Sequence, residues 1–257
     1  SAELRNKLES VSASDVFVLV DNNSRNYCME RLNMGYVPGE HVITIAEGEH
    51  NKCLDSVALI WHTLSACSAR RNSVLINIGG GLITDIGGFA ASCFKRGIRF
   101  FNIPTTLLAQ VDASVGGKTG INFDGLKNEI GTFSMPEWVF IDSHFLSTLP
   151  ERQLLSGFAE MLKHALLAGE EQLAEIMDAD LSQVSGENFL SLIKASVAIK
   201  AAIVQGDPRE KGLRKALNLG HTVGHAIESI AIKKNLEIYH GDAVAYGLIA
   251  ELYLSVK

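Results

Sequence analysis

The sequence predicts an N-terminal α/β domain with a mostly parallel β-sheet, followed by an all-helical domain. In residues 1–146, apolar runs of strand length alternate with helical patterns, which indicates successive strand–helix–strand units. In residues 147–257, the apolar residues recur at the helical period instead. The pattern changes around Leu149-Pro150, so we place the boundary between the two domains there, after residue 146.

The strands of the first domain are predicted at five apolar runs, which cover residues 16–20, 42–45, 74–78, 100–103 and 139–142. The run at 16–20 is continuously apolar, as expected of a parallel strand that is buried on both faces. A helical pattern at 54–64 connects the second run to the third. Sheets of this kind bind ligands at the carboxyl ends of their strands.

The second domain is predicted to contain several amphipathic helices. Its first apolar stripe runs from Leu154 to Leu166, with Glu160, Lys163 and His164 on or beside the opposite edge. Further helices are predicted at 187–204, 214–231 and 241–256. Neither internal repeats nor low-complexity segments are found in the sequence.

Composition excludes several classes of protein. The chain has 257 residues, 47% of them hydrophobic, and a formal net charge of -6, which argues against nucleic acid or an anionic membrane as a partner. Four cysteines without a C-x-x-C pair predict free thiols in a reducing compartment. No apolar run reaches the roughly 18 residues of a membrane span, and the charged start lacks a signal-peptide pattern, so a cytoplasmic protein is expected.

Glycine-rich segments follow two of the strands. Gly79-Gly80-Gly81 allows a diphosphate to approach backbone N–H groups at a helix start, and Asp85 favours this interpretation over a simple tight turn. The match to a dinucleotide fingerprint is incomplete, because Thr84 stands where glycine is required. Residues 112–120 resemble a P-loop only superficially, since Asp112 occupies a glycine position. What remains there is a turn that carries Lys118.

Imidazoles and carboxylates on three predicted helices suggest a metal site. His221, His225 and Glu228 lie on one face of a helix, Glu160 lies on an earlier helix, and His240 begins a later one. Together they could form a catalytic zinc site with an open position. The alternative is a pair of surface histidines on an amphipathic helix.

The ordered motifs of the chain resemble those of the 3-dehydroquinate synthases, a family of the sugar-phosphate cyclase superfamily, over nearly the whole length. The resemblance rests on Gly48-Glu49 with Lys52, Gly79-Gly80-Gly81 with Asp85, Pro104-Thr105-Thr106, residues 112–118, Lys127-Asn128, Glu160 with Lys163, residues 214–225 and His240-Gly241. It implies an NAD-binding α/β domain that faces a helical metal-binding domain across an active-site cleft.

The resemblance also implies roles for individual residues. It assigns a divalent metal, zinc or alternatively cobalt, to Glu160, His221 and His240, whereas spacing alone would pair His221 with His225. The residues implied around NAD are Asp21, Glu49, Lys52, Gly80, Gly81, Asp85, Thr105, Thr106, Lys118, Lys127 and Thr148. Those implied around the substrate are Arg96, Asp112, Lys118, Asn128, Lys163, Lys200, Arg214, Asn218 and His225.

The implied reaction converts 3-deoxy-D-arabino-heptulosonate 7-phosphate to 3-dehydroquinate and phosphate, with transient oxidation by NAD. Alternatives are another sugar-phosphate cyclase, a metal- and NAD-dependent glycerol-phosphate dehydrogenase, and a non-catalytic binding protein. Lys200 and Arg214 favour a carboxylated substrate over those of the other cyclases. A homodimer is expected. Family members usually carry a further C-terminal helical segment, and we expect this chain to lack it.

Overall fold

A computed structural model describes residues 2–8, 11–234 and 236–256 of the chain. The strands are β1 Val16–Asp21, β2 Val42–Ile45, β3 Val74–Gly79, β4 Arg99–Pro104, β5 Lys118–Phe123, β6 Leu126–Phe133 and β7 Trp138–Val139. The helices are α1 Ala2–Leu8, α2 Asn22–Tyr27, α3 Leu54–Ala66, α4 Gly81–Cys93, α5 Glu151–Ala168, α6 Glu170–Met177, α7 Glu187–Gly206, α8 His221–Lys233 and α9 His240–Ser255.

The chain divides into two compact units. The first contains the described residues up to Thr105 together with Gly117–Asp142, and the second contains Thr106–Gly116 and the described residues from Ser143 onward. The sequence-based boundary after residue 146 lies close to the Asp142/Ser143 junction and stays a prediction for the domains. The short segment 106–116 belongs to the second unit although the chain returns to the first after it.

The first unit is built on a five-stranded sheet in the order β2-β1-β3-β4-β7, in which all neighbours are parallel. Every residue of β1 and β3 is buried, and except for Asp21, Asn77 and Gly79 these residues are apolar, as expected of strands covered on both faces. One face of the sheet packs on α3 and α4 through a core that includes Phe17, Leu75, Ile60, Leu64 and Ile86. The α/β part of the predicted fold class is confirmed.

An antiparallel hairpin of β5 and β6 was missed by the sequence analysis, which predicted only a glycine-rich turn there. Its turn is Asp124-Gly125, where both residues have positive φ angles of 50° and 79°. Two residues with positive φ form the turn type that best matches strand twist. Gly120 and Gly131 lie opposite each other in the hairpin, where a Cβ on either would meet the backbone of the other strand.

The second unit is helical, as predicted. Helix α5 packs against α6, α7 and α9, and α8 packs against α9. Close approach of α9 to its neighbours depends on glycine, because a Cβ on Gly241 would lie 2.1 Å from the carbonyl oxygen of Ser156 on α5. The helix predicted at 214–231 is wrong in its first part: residues 213–218 form a 3-10 turn, and α8 begins only after Gly220, whose φ is 80°.

Helix α7 is long and apolar enough to cross a membrane by length and composition alone. The sequence predicts a helix at 187–204 but no membrane span, because Lys194 and Lys200 interrupt the apolar run. Core helices of globular proteins meet the same criterion, and α7 packs on α5 with Ser196 and Lys200 buried. Its length and composition are therefore weak evidence for a membrane span.

Candidate functional site

Three metal-competent side chains converge in the second unit. Glu160 lies in the middle of α5, His221 is the first residue of α8, and His240 is the first residue of α9. The Oε1 atom of Glu160 lies 3.7 Å from Nε2 of His221 and 3.5 Å from Nε2 of His240. Each residue offers one ligand atom, and the three atoms lie within 4.8 Å of one another.

The geometry of these three atoms fits a tetrahedral metal ion. Ligands about 2.1 Å from a zinc ion lie about 3.4 Å apart along the edges of a tetrahedron, close to the separations seen here. Glu160 is completely buried, and its Oε1 has no hydrogen-bond partner among the residues that the structure describes. A buried carboxylate oxygen that faces two imidazole nitrogens is therefore satisfied when a cation binds between them.

The second nitrogen of each imidazole also has a partner. Nδ1 of His240 lies 3.4 Å from Oε1 of Glu228, which is itself buried, and Nδ1 of His221 lies 3.2 Å from the carbonyl oxygen of Leu219. Such partners accept the Nδ1 proton and leave Nε2 as the ligand atom. Both rings therefore present their Nε2 atoms towards Glu160.

Charge in this cluster is balanced in the absence of an ion. Burial is the largest single influence on Glu160 and raises its pKa, but Lys163 and His240 together outweigh it and lower the pKa to about 2. For His240, burial is outweighed by Glu160 and Glu228, which raise its pKa to about 9. Burial lowers the pKa of His221. A bound cation would replace the His240 proton as the partner of Glu160.

Helix α8 is held at its first turn by a carboxylate from α9. Oε2 of Glu251 accepts a hydrogen bond from the N–H of Gly220 at 2.7 Å, and Oε1 accepts one from the N–H of Val223 at 3.2 Å. These are N–H groups that a helix leaves without an internal partner. The contact ties α9 to the turn from which His221 and His225 project.

A second group of charged side chains lies in the same unit. Lys200 on α7 donates to both the carbonyl oxygen and Oδ1 of Asp112, each at 2.6 Å. Asp112 lies in a π-helical turn at Ala109–Ala113, a rare conformation that is frequent at functional sites. Burial opposes ionisation of Asp112, but Lys200 and Lys163 together hold the pKa of this carboxyl well below its usual range.

The remaining substrate residues expected in this unit have other partners. The guanidinium of Arg214 is buried and donates to the carbonyl oxygens of Pro208 at 2.8 Å and Gly116 at 3.0 Å. Asn218 donates to Glu210 at 2.9 Å. The ring of His225 lies 5.4 Å from that of His221, edge to face. Lys200 and Arg214 are thus engaged by the chain itself, and their predicted role in carboxylate binding is not visible in their contacts.

The residues expected around NAD lie mostly in the first unit. Gly80 precedes α4 and Gly81 is its first residue, so the glycine run opens a helix at the carboxyl end of β3. Asp21 caps α2 at the carboxyl end of β1, and the N–H of Thr105 donates to the carbonyl oxygen of Gly79. Carboxyl ends of parallel strands with a helix start are where nucleotides bind.

A buried lysine connects further members of this set. Lys52 donates to Oδ2 of Asp85 and to Oδ1 of Asn128, each at 2.5 Å. Burial alone would lower the pKa of Lys52, but Asp85 and Glu49 raise it. Asn122 joins the same group by donating to Glu49 at 2.9 Å. The structure therefore places Asn128, expected at the substrate, with residues that were expected at NAD.

Four further residues expected at NAD lie in the second unit or on the β5–β6 hairpin. Thr106 and Thr148, expected at NAD, belong to the second unit, and each contacts its own turn. Lys118 begins β5, and Lys127 lies on β6; both side chains are exposed.

Arg96 lies between α4 and β4, at the end of the sheet opposite the glycine run. It has a φ of 67° and lines a cavity of about 710 Å³ with Arg70, Arg71 and Lys95.

Sequence reasoning did not assign a role to three side chains of the second unit: His164, Ser196 and Glu251. His164 is buried beside Asp112, and its Nδ1 lies 2.8 Å from Oγ of Ser196. Its position four residues after Glu160 was a usable signal, since that spacing places both on one helix face. Glu251 and Ser196 gave no signal, because their contacts depend on helix packing.

Comparison with known proteins gives consistent matches along the chain. Residues 42–156 match the family model described as 3-dehydroquinate synthase N-terminal, and residues 157–257 match the one described as 3-dehydroquinate synthase C-terminal. A 3-dehydroquinate synthase from Parabacteroides distasonis is 49% identical over 257 residues, which is all of this chain and 73% of that protein.

Two solved structures are similar in fold and moderately similar in sequence. One is a 2-deoxy-scyllo-inosose synthase complexed with carbaglucose-6-phosphate, NAD+ and Co2+, with a TM-score of 0.79, 26% identity, and coverage of 96% of this chain and 69% of that chain. The other is a 2-epi-5-epi-valiolone synthase from Streptomyces hygroscopicus with NAD+ and Zn2+ bound, with a TM-score of 0.74, 28% identity, and coverage of 91% and 66%. The chain thus spans about two thirds to three quarters of these proteins.

Proposed function

Because this chain belongs to the 3-dehydroquinate synthase family, we propose that it converts 3-deoxy-D-arabino-heptulosonate 7-phosphate to 3-dehydroquinate and phosphate. Family membership confirms the predicted resemblance and the predicted class of enzyme, a carbon–oxygen lyase of the shikimate pathway. The predicted cofactors, NAD and a divalent metal, agree with the two solved neighbours. The observation that carries the proposal within this chain is the convergence of Glu160, His221 and His240 around a carboxylate oxygen that has no hydrogen-bond partner in the described part of the chain.

The metal, when bound, supplies Lewis acidity towards a substrate hydroxyl oxygen, and NAD supplies reversible hydride transfer, so that turnover consumes no net oxidant. Glu160, His221 and His240 would hold the metal. Glu228 would keep His240 in the required tautomer by accepting its Nδ1 proton. The glycine run at the start of α4 supports a site for the NAD diphosphate.

Several buried cations support recognition of an anionic sugar phosphate. Lys163 and Lys200 are almost fully buried, and each is paired with a carboxylate of the chain. A buried ammonium attracts a substrate anion strongly once the carboxylate partner is shared or displaced. We propose that these lysines, with Asp112, Asn218, Arg214 and His225, contact the substrate, and that Arg96 and Asn128 complete this set.

The set proposed around NAD in the first unit is Asp21, Glu49, Lys52, Gly80, Gly81, Asp85, Thr105, Lys118 and Lys127. We propose that Thr106 and Thr148 join it. We also propose a cytoplasmic homodimer that has neither nucleic acid nor membrane as a partner. The net charge of -6 supports the absence of polyanionic partners.

The proposed substrate is tested by measuring phosphate release from three sugar phosphates. We expect release from the heptulosonate phosphate and much slower release from sedoheptulose 7-phosphate and glucose 6-phosphate, which lack the carboxylate. Preference for either carboxylate-free sugar would replace this proposal by the activity of another cyclase.

A further inference from the structure

One buried imidazole lies beside the proposed site without a role in it. His164 is fully buried on α5, and its Nε2 points into the cluster formed by Asp112 and Lys200. This nitrogen lies 3.8 Å from Oδ1 of Asp112, which is too long for a hydrogen bond, and it has no partner among the residues that the structure describes. A buried polar atom without a partner costs about 1–3 kcal/mol, so its retention calls for an explanation.

The contact with Ser196 decides which nitrogen of His164 carries the proton. If Nδ1 carried it, the lone pair of Nε2 would face the Asp112 carboxylate, and two acceptors would repel each other. If instead the hydroxyl of Ser196 donates to Nδ1 across their 2.8 Å separation, Nε2 carries its proton towards Asp112. The second arrangement is attractive at both nitrogens, so the geometry favours the Nε2–H tautomer.

A second metal ion is a poor explanation of this arrangement. Potential ligand atoms of Asp112, Glu160 and His164 do lie within 4.8 Å of one another. However, Lys200 and Lys163 already pair with the two carboxylates. Two carboxylates and two ammonium groups balance, and a further divalent cation would be repelled by both lysines.

A neutral imidazole preserves this charge balance. Burial lowers the pKa of His164 to about 4, although Asp112 opposes the shift, and the ring therefore stays neutral near pH 7. The Asp112 side chain is 27% exposed, whereas those of Lys200 and His164 are nearly or completely buried. Asp112 is thus the member of the group that a ligand can reach, and His164 and Lys200 both lie beside its carboxylate.

We propose that His164, held by Ser196, is a positioning residue whose Nε2–H directs the Asp112 carboxylate at Lys200 and at the bound substrate. The inference rests on the proposed function, because it assumes that Asp112 and Lys200 contact the sugar phosphate. It adds a pair of residues that determines where the Asp112 carboxylate points during the reaction. His164 itself does not touch substrate or metal.

The tautomer is tested first, by nitrogen NMR of the histidine-labelled, metal-loaded chain at neutral pH. His164 is identified by the loss of its signal in His164→Gln. We expect a protonated Nε2 and an unprotonated Nδ1, and a protonated Nδ1 overturns the proposal. This measurement does not depend on catalysis, so it still decides the inference if the chain releases no phosphate from the heptulosonate phosphate and the proposed function fails.

Kinetics with matched variants test the positioning role. His164→Leu removes the Nε2–H group that faces the Asp112 carboxylate and should lower kcat about tenfold, which corresponds to about 1.4 kcal/mol, with KM changed less than about threefold. Metal content should remain that of the wild type. His164→Gln retains an N–H donor near the position of Nε2 and should recover part of kcat.

Ser196→Ala should produce a smaller loss in kcat. Without the Ser196 hydroxyl, the proton of His164 is no longer confined to Nε2, but the imidazole ring stays in place. Ser191→Ala is the matched control: Ser191 lies on the exposed face of the same helix, where its hydroxyl donates to the carbonyl of Glu187. Wild-type kcat in both His164→Leu and Ser196→Ala overturns the proposal. So does an equal fall in kcat and metal content, which indicates a purely structural role. If His164→Leu does not fold, the comparison of kcat between Ser196→Ala and Ser191→Ala decides the positioning role.

Discussion

Replacing Glu228 by glutamine is expected to weaken metal binding about tenfold. The Glu228 carboxylate lies 3.4 Å from Nδ1 of His240 and is 7% exposed, so the imidazole faces a buried negative charge behind the proposed ligand atom. Glutamine keeps the size of the side chain and a carbonyl acceptor but removes the charge. His240 should then bind a cation less strongly, because its basicity is no longer increased by the carboxylate.

The magnitude follows from the contact. A hydrogen bond to a charged group contributes about 1.5–3 kcal/mol, and a separation of 3.4 Å is longer than the optimum, so the lower end of this range applies. A free energy of about 1.4 kcal/mol corresponds to a tenfold change in Kd. Loss of a supporting partner at a metal site typically costs about 10–100-fold in affinity, which agrees with this estimate.

The assay is a competition titration of zinc between the purified chain and a chromophoric chelator. Glu237→Gln is the matched control: it removes the same charge near the start of α9, but its carboxylate is 76% exposed and pairs only at 3.7 Å with Arg152. We expect wild-type affinity in that variant. Unchanged affinity in Glu228→Gln, with metal-free unfolding also unchanged, would refute the role of Glu228. Equal weakening in both variants would show a general charge effect instead.

Three further predictions concern stability and packing. Gly241→Ala should weaken zinc binding and destabilise the chain by about 1–3 kcal/mol, since the added Cβ would lie 2.1 Å from a backbone oxygen of α5; Gly206→Ala, with open space around it, should change neither. Lys52→Met should lower the free energy of unfolding in urea by about 3 kcal/mol, because it leaves the Asp85 carboxylate without its buried cation, and an unchanged value would contradict this. The folded-state pKa of His164, about 4, lies below its ordinary value, so the unfolded chain binds the proton more tightly. Wild type should therefore lose up to about 3 kcal/mol relative to His164→Gln as pH falls from 6.5 to 4, and parallel pH profiles would contradict the shift.

Secondary-structure elements that depend mainly on their own apolar pattern were predicted well from the sequence. A continuously apolar run such as β1 can be satisfied only in a sheet covered on both faces, so the parallel α/β unit followed from pattern alone. The helical second unit followed from apolar periodicity in the same way. The hairpin of β5 and β6 was missed although Asp124-Gly125 is a strong hairpin signal, because the glycines before it were interpreted as a ligand-binding turn.

The candidate site depends on contacts that sequence spacing does not contain. Spacing alone pairs His221 with His225, whereas Glu160 and His240 reach His221 only because α5 and α9 pack closely at Gly241. Family resemblance supplied the correct neighbours where periodicity could not. Side-chain pairs within the chain could not be predicted either, since the sequence does not show that Lys200 pairs with Asp112.

The hydrogen bonds that Arg214 donates to backbone carbonyl oxygens could not be predicted for the same reason. Helix packing determines which charged side chains pair within the chain and which remain available to a ligand.

The most direct test of the proposed function is the ratio of NADH formed to phosphate released when the chain is incubated with NAD+, a zinc salt and the heptulosonate phosphate. We predict many phosphates released per chain with no accumulated NADH, because hydride taken from the substrate is returned to it. Release should stop in Glu160→Gln, which removes the charged oxygen shared by the two imidazoles. Accumulation of NADH in step with substrate consumption, or release that is unaffected by Glu160→Gln, would contradict the account.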